Sequence, residues 1–312
     1  MYDPKKPSTD IVLNLIKSTW NTSYLKITPS TYAIFKKKFN YSEVDHTDGI
    51  GTKGIYHWKK ETFENAVLDS LAMNLNDLLL VRAQAYKLQN HLVLPKDDEK
   101  IIRKIMKKMV TECKKRNIAI TGGETSIHNT PNSFDIGITV SGFVKKIILN
   151  KVKTGDLVIG IKSNGVHSNG FTLIRKIFGN KVSDEFIKPT KIYYDDLIDL
   201  LDELEIHGMM HITGGAFSKL KGIIDKNQDI LVTNQHKIKP QKIFFDMFNK
   251  GIANKQMYTT FNCGIGFILT ASRKNALKIT KEIPDSAIIG EVKKGTGKVI
   301  IKSSFNNRIL VL

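Results

Sequence analysis

The sequence has 312 residues, and because one hydrophobic core tends to stop growing at roughly 250 to 300 residues, this length predicts two domains. Hydrophobic residues make up 41% and charged residues 25% of the chain, a composition that excludes an intrinsically disordered protein. The formal net charge of +18 would suit a polyphosphate partner, but the lysines are scattered and no aromatic and basic platform for RNA occurs. We therefore expect a solvated basic surface and no nucleic-acid partner.

The sequence contains neither a membrane signal nor a cysteine framework. No stretch reaches the roughly 18 consecutive apolar residues of a membrane span, and the first residues lack the pattern of a signal peptide. Cys113 and Cys263 have no neighbouring His or Cys, which favours two buried thiols over a zinc site or a disulfide. These features predict a cytoplasmic protein that does not contact a membrane.

The first half of the chain, residues 1–150, predicts a mixed α/β domain. A polar segment extends to about Asn40, and the Gly-rich loop DHTDGIGTKG follows it. A long apolar helix is predicted from about Glu61 to Val81, and EKIIRKIMKKMVTECKKRN predicts an amphipathic helix with its lysines in water. Two strands follow: NIAIT, which ends at GGET, and FDIGITVSGFV.

The pattern starts again after NKVKTGD, so residues 151–312 predict a second α/β domain. DLVIGIK and CGIGFILTAS indicate strands, and FTLIRKIFG indicates a helix that ends at Gly179. GGAFSKLKGII and PQKIFFDMFNKG indicate two further helices, the second starting at Pro240. SAIIGEVKKGTGKVIIKS is typical of a β-hairpin with glycine in its turn.

The loop DHTDGIGTKG combines glycines with a cation and a carboxylate. Gly49 and Gly51 let backbone N–H groups approach phosphate oxygens, and Lys53, after Thr52, supplies a positive charge. Asp48 could hold the Mg²⁺ that accompanies such phosphates. The spacing is not that of a Walker loop, so the motif taken alone is equally compatible with an ordinary turn.

Three further carboxylates stand out against apolar surroundings. Asp69 and Asp77 lie two turns apart on the long helix, about 10 to 12 Å at 1.5 Å per residue, so they are expected to serve different ions or different shells. A solvated, salt-bridging stripe is the alternative. Glu124 follows a predicted strand end, where Mg²⁺ ligands gather in α/β sheets; a helix cap formed by a neighbouring threonine is its alternative.

The stretch SNGVHSNG connects a predicted strand to a predicted helix and repeats one turn around His167. Ser168 or Asn169 would cap the helix, and donors at a helix N-terminus favour an anion. Two plain turns are the alternative, but one SNG would already suffice for a turn. His211, in front of two glycines, would by itself indicate a structural histidine.

Nine motifs, taken together, resemble those of aminoimidazole ribonucleotide synthetase. In chain order they are DGIGTK, DSLAMNLND, GGETS, VSGFV, KTGDLVIGIKSNGVHSNGFTLIRKIF, KPTKIYY, HITGGAFSKL, FNCGIGF and IIGEV. This synthetase family is the phosphoribosylformylglycinamidine cyclo-ligase family of purine biosynthesis, and the resemblance runs from about Asp45 to Val292. SNGVHSNGFTLIRK, PTKIY and HITGG resemble this family more than they resemble thiamine-monophosphate kinase, selenophosphate synthetase or the hydrogenase maturation factor.

The resemblance implies an α/β (α+β) subunit of two domains: an ATP-binding domain that pairs into a homodimer with a closed β-barrel, and a substrate-binding domain. It also implies site residues. By resemblance, the nucleotide-binding residues are Gly49, Gly51, Thr52 and Lys53, and the Mg²⁺ ligands are Asp48, Asp69, Asp77 and Glu124. The residues that bind the phosphoribosyl substrate are Ser163, His167, Ser168, Asn169 and Gly170. The catalytic residues are His211 and Lys53.

The implied reaction is ATP-dependent closure of an imidazole ring. An amide oxygen is a poor leaving group, and its phosphorylation by ATP gives an iminophosphate from which phosphate departs readily. Cations near the transferring phosphoryl group would neutralise its charge, so that the enzyme mostly positions its reactants.

The chain departs from the family pattern in two places. Residues 1–44 lack the family's usual Gly-rich N-terminal sequence, and Asn90 and Arg82 replace a family acidic residue and a glycine. These departures keep two alternatives open: another ATP-dependent kinase or synthetase of the superfamily, or a catalytically silent nucleotide-binding homologue.

Overall fold

The computed structural model describes residues 7–30, 32–179 and 181–312 of the chain. The chain divides into two compact units: unit 1 comprises Met1–Leu78 and Arg82–Ile147, and unit 2 comprises Leu79–Val81 and Ile148–Leu312. Both units mix helices with strands, so the predicted mixed α/β class is confirmed. Among the described residues, no helix is both long and apolar enough to cross a membrane.

The described residues of unit 1 form four α-helices and six strands. In chain order they are α1 (Pro7–Lys17), β1 (Leu25–Thr28), β2 (Ile34–Lys37), β3 (Ser42–Asp48), α2 (Gly54–Lys60), α3 (Phe63–Leu78), β4 (Gln84–Leu94), α4 (Glu99–Lys115), β5 (Ala119–Ile127) and β6 (Asp135–Val144). A short 3-10 helix forms at Gly51–Lys53, and another at Leu79–Val81, the segment assigned to unit 2.

A four-stranded sheet in the order β3-β6-β4-β5 organises unit 1. β4 and β5 run parallel, and the other neighbours run antiparallel. α3 packs on β3 and β6, and α4 packs on α3 and β5. The predicted amphipathic helix is confirmed as α4, where Ile105, Met109 and Cys113 are buried. Within the described part of one chain this sheet stays open, with β3 and β5 at its edges.

The N-terminal polar segment is more structured than its composition predicts. It forms α1, which packs on α4, and the antiparallel β1–β2 ribbon. The Trp20 indole donates to the Ile120 carbonyl at 2.8 Å, and Thr19 Oγ1 accepts from the Ile120 N–H at 2.9 Å. Sparse apolar residues such as Leu25 are buried and anchor it, a signal too weak to read from periodicity.

Seven α-helices and seven strands form in the part of unit 2 that the structure describes. In chain order they are β7 (Leu157–Lys162), α5 (Phe171–Phe178), α6 (Asp184–Ile187), α7 (Tyr194–Leu197), α8 (Leu200–Glu203), β8 (Gly208–His211), β9 (Gln228–Val232), α9 (Lys242–Asn249), α10 (Asn254–Thr260), β10 (Ile265–Ala271), α11 (Arg273–Glu282), β11 (Ser286–Lys294), β12 (Val299–Lys302) and β13 (Ile309–Val311).

A seven-stranded sheet in the order β13-β12-β9-β11-β7-β10-β8 organises unit 2. Only the β12–β9 pair is parallel. The predicted hairpin of β11 with β12 is wrong, because β9 lies between these two strands. Their connection wraps around Asp229, whose Oδ1 accepts from the Thr296 and Lys298 N–H groups at 2.8 Å each.

Two other predicted elements differ in kind or extent. GGAFSKLKGII forms the 3-10 helix Ala216–Gly222 instead of an α-helix. The predicted strand NIAIT does not end before GGET, since β5 continues through these residues to Ile127. Backbone pairing of Gly122 and Gly123 with β4 carries the strand onward. The helix end at Gly179 and the strand CGIGFILTAS are confirmed.

Candidate functional site

The loop that follows β3 directs its backbone N–H groups at carboxylate oxygens. The Gly49 N–H donates to Asp48 Oδ1 at 2.7 Å. The Ile50 and Gly51 N–H groups donate to Asp135 Oδ1, at 3.1 and 3.2 Å. Because an array of backbone donors suits any anion, this loop has the hydrogen-bonding character that a phosphate requires.

Asp135 was not predicted as a site residue from the sequence. Burial raises the pKa of the Asp135 carboxyl, and the nearby Asp48 carboxylate adds to this, while N–H donors from Ile50, Gly51 and Ile136 oppose it. Two carboxylates that repel each other favour a cation between them, and hard oxygen ligands suit Mg²⁺. The available signal was its position as the first residue, and the one charged residue, of the strand DIGITVSGFV.

Lys53 and Asp69 form a completely buried ion pair. Lys53 Nζ lies 2.8 Å from both Asp69 carboxylate oxygens, and His57 Nε2 lies 2.7 Å from Asp69 Oδ2. His57 Nδ1 reaches Thr62 Oγ1 at 2.8 Å. All three charged or ionisable side chains are 0% exposed. Lys53, which was predicted to bind phosphate, and Asp69, which was predicted to bind Mg²⁺, are therefore paired with each other.

The pKa shifts in this cluster follow from its burial. Burial opposes ionisation of Asp69, but the Lys53 ammonium and the His57 ring outweigh it and hold the Asp69 pKa well below its usual range. Burial lowers the pKa of Lys53 and of His57 against the opposing effect of Asp69. Because the ionised Asp69 already has these partners, its surroundings suit a buried counter-ion of Lys53 better than a Mg²⁺ ligand.

Asp77 has a different partner from Asp69. His46, on β3, lies with Nδ1 2.9 Å from Asn74 Oδ1 and with Nε2 3.4 Å from Asp77 Oδ2. The hydrogen bond with Asp77 raises the His46 pKa, against the effect of partial burial. The motif DHTDGIGTKG contains His46, but the sequence alone assigned it no role. Asp69 and Asp77 therefore have distinct surroundings.

Glu124 is exposed on edge strand β5, where its Oε1 accepts from the Thr125 N–H at 2.8 Å. It neither follows a strand end nor precedes a helix. Beside it, Asn90 is 7% exposed and packs against Gly123, where a Cβ atom would lie 2.5 Å from Asn90 Oδ1. Among the described residues, no group of three or more His, Cys, Asp or Glu could hold a metal ion.

In unit 2, the SNGVHSNG loop is fixed by amide side chains from distant segments. Ser163 Oγ donates to Asn262 Oδ1 at 2.9 Å, and Asn262 Nδ2 donates to the Gly165 carbonyl at 2.7 Å. Gln241 Nε2 donates to the Ser163 carbonyl at 2.6 Å. Ser163 and Asn262 are buried, so they act as scaffold within the loop.

The second turn of this loop differs from the predicted cap. Gly170 is the N-cap of α5 with φ of 73°, and no side chain caps the helix. Ser168 Oγ instead lies 3.0 Å from Thr190 Oγ1, and Asn169 Nδ2 donates to the Thr260 carbonyl. The Cβ of any other residue at 170 would approach the Phe261 ring to 2.3 Å, which explains the glycine.

Aromatic rings gather below the loop. The Tyr193 ring centroid lies 6.2 Å from that of His167 and 6.3 Å from that of His211, and Phe267 lies 6.1 Å from His211. A Cβ atom on Gly266 would lie 2.0 Å from the Tyr193 hydroxyl and 2.5 Å from His167 Cε1. The segments that carry His167, Tyr193 and His211 are far apart in the chain, and they meet the segment of Gly266 and Phe267 here.

Neither histidine of this cluster is exposed. His167 is 1% and His211 0% exposed, and His167 adopts a left-handed backbone with φ of 60°. A non-glycine residue held in this conformation is overdetermined by its surroundings, as occurs around ligand sites. Within this loop Asn164 is exposed, and Ser168, Asn169 and Gly170 are half-buried.

Both units match a known domain family. Residues 32–144 match "AIR synthase related protein, N-terminal domain", and residues 153–302 match "AIR synthase related protein, C-terminal domain". The two matches follow one another in the chain and together cover most of it.

Among curated proteins, three phosphoribosylformylglycinamidine cyclo-ligases are similar over most of their length. That of Methanococcus vannielii is 35% identical over 79% of this chain and 76% of its own. The Sulfurisphaera tokodaii protein is 34% identical over 86% of this chain and 84% of its own length. The Pyrococcus horikoshii protein is 33% identical over 82% of this chain and 81% of its own length.

Solved structures share the fold at low identity. The superposition on the hydrogenase maturation protein HypE in complex with ATP covers 99% of this chain and 95% of that protein, with a TM-score of 0.68 and 13% sequence identity. The superposition on thiamine-monophosphate kinase from Stenotrophomonas maltophilia covers 94% of this chain and 96% of that protein, with a TM-score of 0.63 and 14% sequence identity.

Proposed function

The chain belongs to the AIR synthase related family, and on that premise we propose that it is a phosphoribosylformylglycinamidine cyclo-ligase. It converts formylglycinamidine ribonucleotide and ATP into aminoimidazole ribonucleotide, ADP and phosphate in purine biosynthesis. The observation that carries this proposal is the match to cyclo-ligases at 31–35% identity along most of the chain.

The reaction requires a better leaving group than the formamide oxygen. That oxygen attacks the γ-phosphorus of ATP, the bond from this phosphorus to the ADP oxygen breaks, and ADP leaves. The substrate's amine nitrogen then attacks the formamide carbon, the carbon–oxygen bond breaks, and phosphate departs with the bonding electron pair. Loss of a proton from the attacking nitrogen completes the ring. The chain's own contribution is positioning and electrostatics.

The nucleotide phosphates fit the loop of unit 1. Gly49, Gly51 and Thr52 present backbone groups next to the carboxylates of Asp48 and Asp135, and Gly51 and Thr52 are exposed. Repulsion between the two carboxylates supports them as candidates to hold Mg²⁺, which would neutralise phosphate charge. Asp77 and Glu124 remain candidates for a second ion.

Lys53 takes a different role from the predicted one. Because its ammonium is buried against Asp69 and His57, we assign Lys53 to anchoring the 3-10 helix Gly51–Lys53 on α3. The loop's phosphate donors then rest on a fixed base. Its effect on catalysis passes through the loop's position, without contact with ATP.

The phosphoribosyl substrate fits the loop of unit 2. Ser168 and Asn169 are half-buried and offer a hydroxyl and an amide, while Gly170 lets the chain turn closely against Phe261. Ser163, His167 and His211 are buried, and we assign them to shaping the loop from below.

A homodimer with a closed barrel suits the open sheet of unit 1. Edge strands expose unpaired N–H and C=O groups and are usually paired or covered. Sedimentation equilibrium tests this part of the proposal: a species of twice the chain mass supports it, and a monomer at micromolar concentration contradicts it.

Activity of defined variants tests the assignment of the nucleotide side. We expect the purified chain with Mg²⁺, ATP and formylglycinamidine ribonucleotide to form a diazotisable aminoimidazole. Asp48→Asn and Asp135→Asn should each lower kcat/KM at least about 100-fold, as loss of a positioned electrostatic group does. Lys242→Ala, at a side chain 85% exposed, is the control. Full activity in both Asn variants would refute these roles.

A further inference from the structure

Lys219 is a half-buried cation without an acidic partner. It lies on the 3-10 helix Ala216–Gly222, and its Nζ donates to Thr213 Oγ1 at 3.0 Å. Across the described residues it forms no ion pair, whereas many other lysines of this chain pair with Asp or Glu. A neutral hydroxyl thus orients the ammonium while leaving its charge uncompensated.

The surroundings of Lys219 are open on the side of two glycines. Gly214 and Gly215 are both exposed, and the Lys219 side chain runs beside Gly215, with its Cγ 3.4 Å from the position a Cβ would take. The corresponding position at Gly214 lies 3.7 Å from Asn169 Oδ1. The segment that carries Lys219 therefore adjoins the SNGVHSNG loop directly.

That loop offers donors but no positive charge. The stretch Ser163–Gly170 contains hydroxyl and amide side chains and no Lys or Arg. A phosphate monoester carries nearly two negative charges at neutral pH, and a charge-assisted hydrogen bond is the stronger kind of contact for it.

We propose that Lys219 binds the phosphate of the phosphoribosyl substrate and makes the loop of unit 2 selective for phosphorylated over unphosphorylated ligands. The inference rests on the proposed function and deepens it by naming the group that Lys219 recognises. Thr213 accepts from the ammonium, its chain neighbour Gly214 adjoins Asn169, and Ser168 and Asn169 supply the neutral donors.

Steady-state kinetics of Lys219→Met test the proposal. Loss of a charged hydrogen bond to phosphate should raise the KM for formylglycinamidine ribonucleotide roughly ten- to a hundredfold. The KM for ATP and the kcat at saturation should change less than about twofold, and Lys219→Arg should recover most of the loss. Lys221→Met, at an exposed lysine of the same short helix, is the matched control.

Direct binding of ribose 5-phosphate gives a readout that does not need turnover. NMR titration should show at least tenfold weaker binding to Lys219→Met than to the wild-type chain, and ribose should bind neither. An unchanged substrate KM in an active variant, or equal ribose 5-phosphate affinities, would overturn the role of Lys219. An inactive wild-type chain that still shows the affinity difference would refute the cyclo-ligase proposal alone.

Discussion

Asp69→Asn isolates the buried charge cluster of unit 1. The substitution keeps the shape of the side chain and its ability to accept hydrogen bonds, but it removes the negative charge. Lys53 and His57, both 0% exposed, then lose the negative charge of Asp69. Removing one partner of a buried ion pair costs about 3–5 kcal/mol, because the other charge stays out of water.

This cost is large beside the total stability of a domain, which is about 5–15 kcal/mol. With a urea m-value of roughly 1–3 kcal/mol/M, the unfolding midpoint should fall by roughly 1 to 5 M. The double variant Lys53→Met/Asp69→Asn removes both charges, and we expect it to recover at least half of the loss. Recovery in the double variant distinguishes an uncompensated charge from a packing defect.

Tryptophan fluorescence during urea unfolding measures this effect in the correct part of the molecule. The chain has two tryptophans, Trp20 and Trp58, and both lie in unit 1. Unfolding of unit 2 therefore leaves the main signal unchanged. Arg103→Gln is the control, since its i,i+4 pair with Glu99 lies in unit 1, is exposed to water and should contribute less than about 0.5 kcal/mol.

Equal midpoints for Asp69→Asn and the wild-type chain would refute the reasoning, because a buried lysine cannot lose the Asp69 carboxylate without cost. This result would mean that Lys53 reaches water and can meet a ligand. A double variant no more stable than Asp69→Asn would also contradict the reasoning, since the loss would then come from a packing defect.

Two further predictions concern His46 and Gly170. Asp77 raises the His46 pKa above 6.5, so this pair should stabilise the fold fully below pH 6.5 and lose its effect as pH rises through the raised pKa. Asp77→Asn should therefore lower the His46 pKa measured by NMR and destabilise the chain more at pH 5.5 than at pH 8.5; a pH-independent loss would contradict this. Gly170→Ala should cost at least about 2 kcal/mol and weaken substrate binding, since both its φ and the Phe261 ring oppose a Cβ. Gly179→Ala, also at positive φ but with open space, should cost less, and equal losses would exclude the ring contact as the cause.

Elements with strong local patterns could be predicted from the sequence. The amphipathic period of α4, the glycine that ends α5 and the apolar run of β10 were sufficient, because each pattern depends on residues close in the chain. The β11–β12 hairpin failed for the opposite reason. Its turn residues agreed with a hairpin, but insertion of β9 is a non-local pairing that local turn chemistry does not encode.

The candidate site shows the same division. The glycine-rich loops were found because glycine spacing is visible in the sequence, and Asp48 and Asn169 lie in such loops. Their partners were not found: Asp135 meets the phosphate loop from a strand 85 residues away in the chain. Nor could Asp69 be separated from the metal candidates, because the sequence does not show that Lys53 turns inward.

Transfer of labelled oxygen tests the cyclo-ligase reaction most directly. Formylglycinamidine ribonucleotide with ¹⁸O in its formyl group is incubated with the purified chain, Mg²⁺ and ATP, and the phosphate is examined by ³¹P NMR. The proposed reaction predicts one labelled oxygen in each inorganic phosphate, with equal amounts of ADP and aminoimidazole ribonucleotide. Unlabelled phosphate, or ATP binding without any aminoimidazole product, would contradict it.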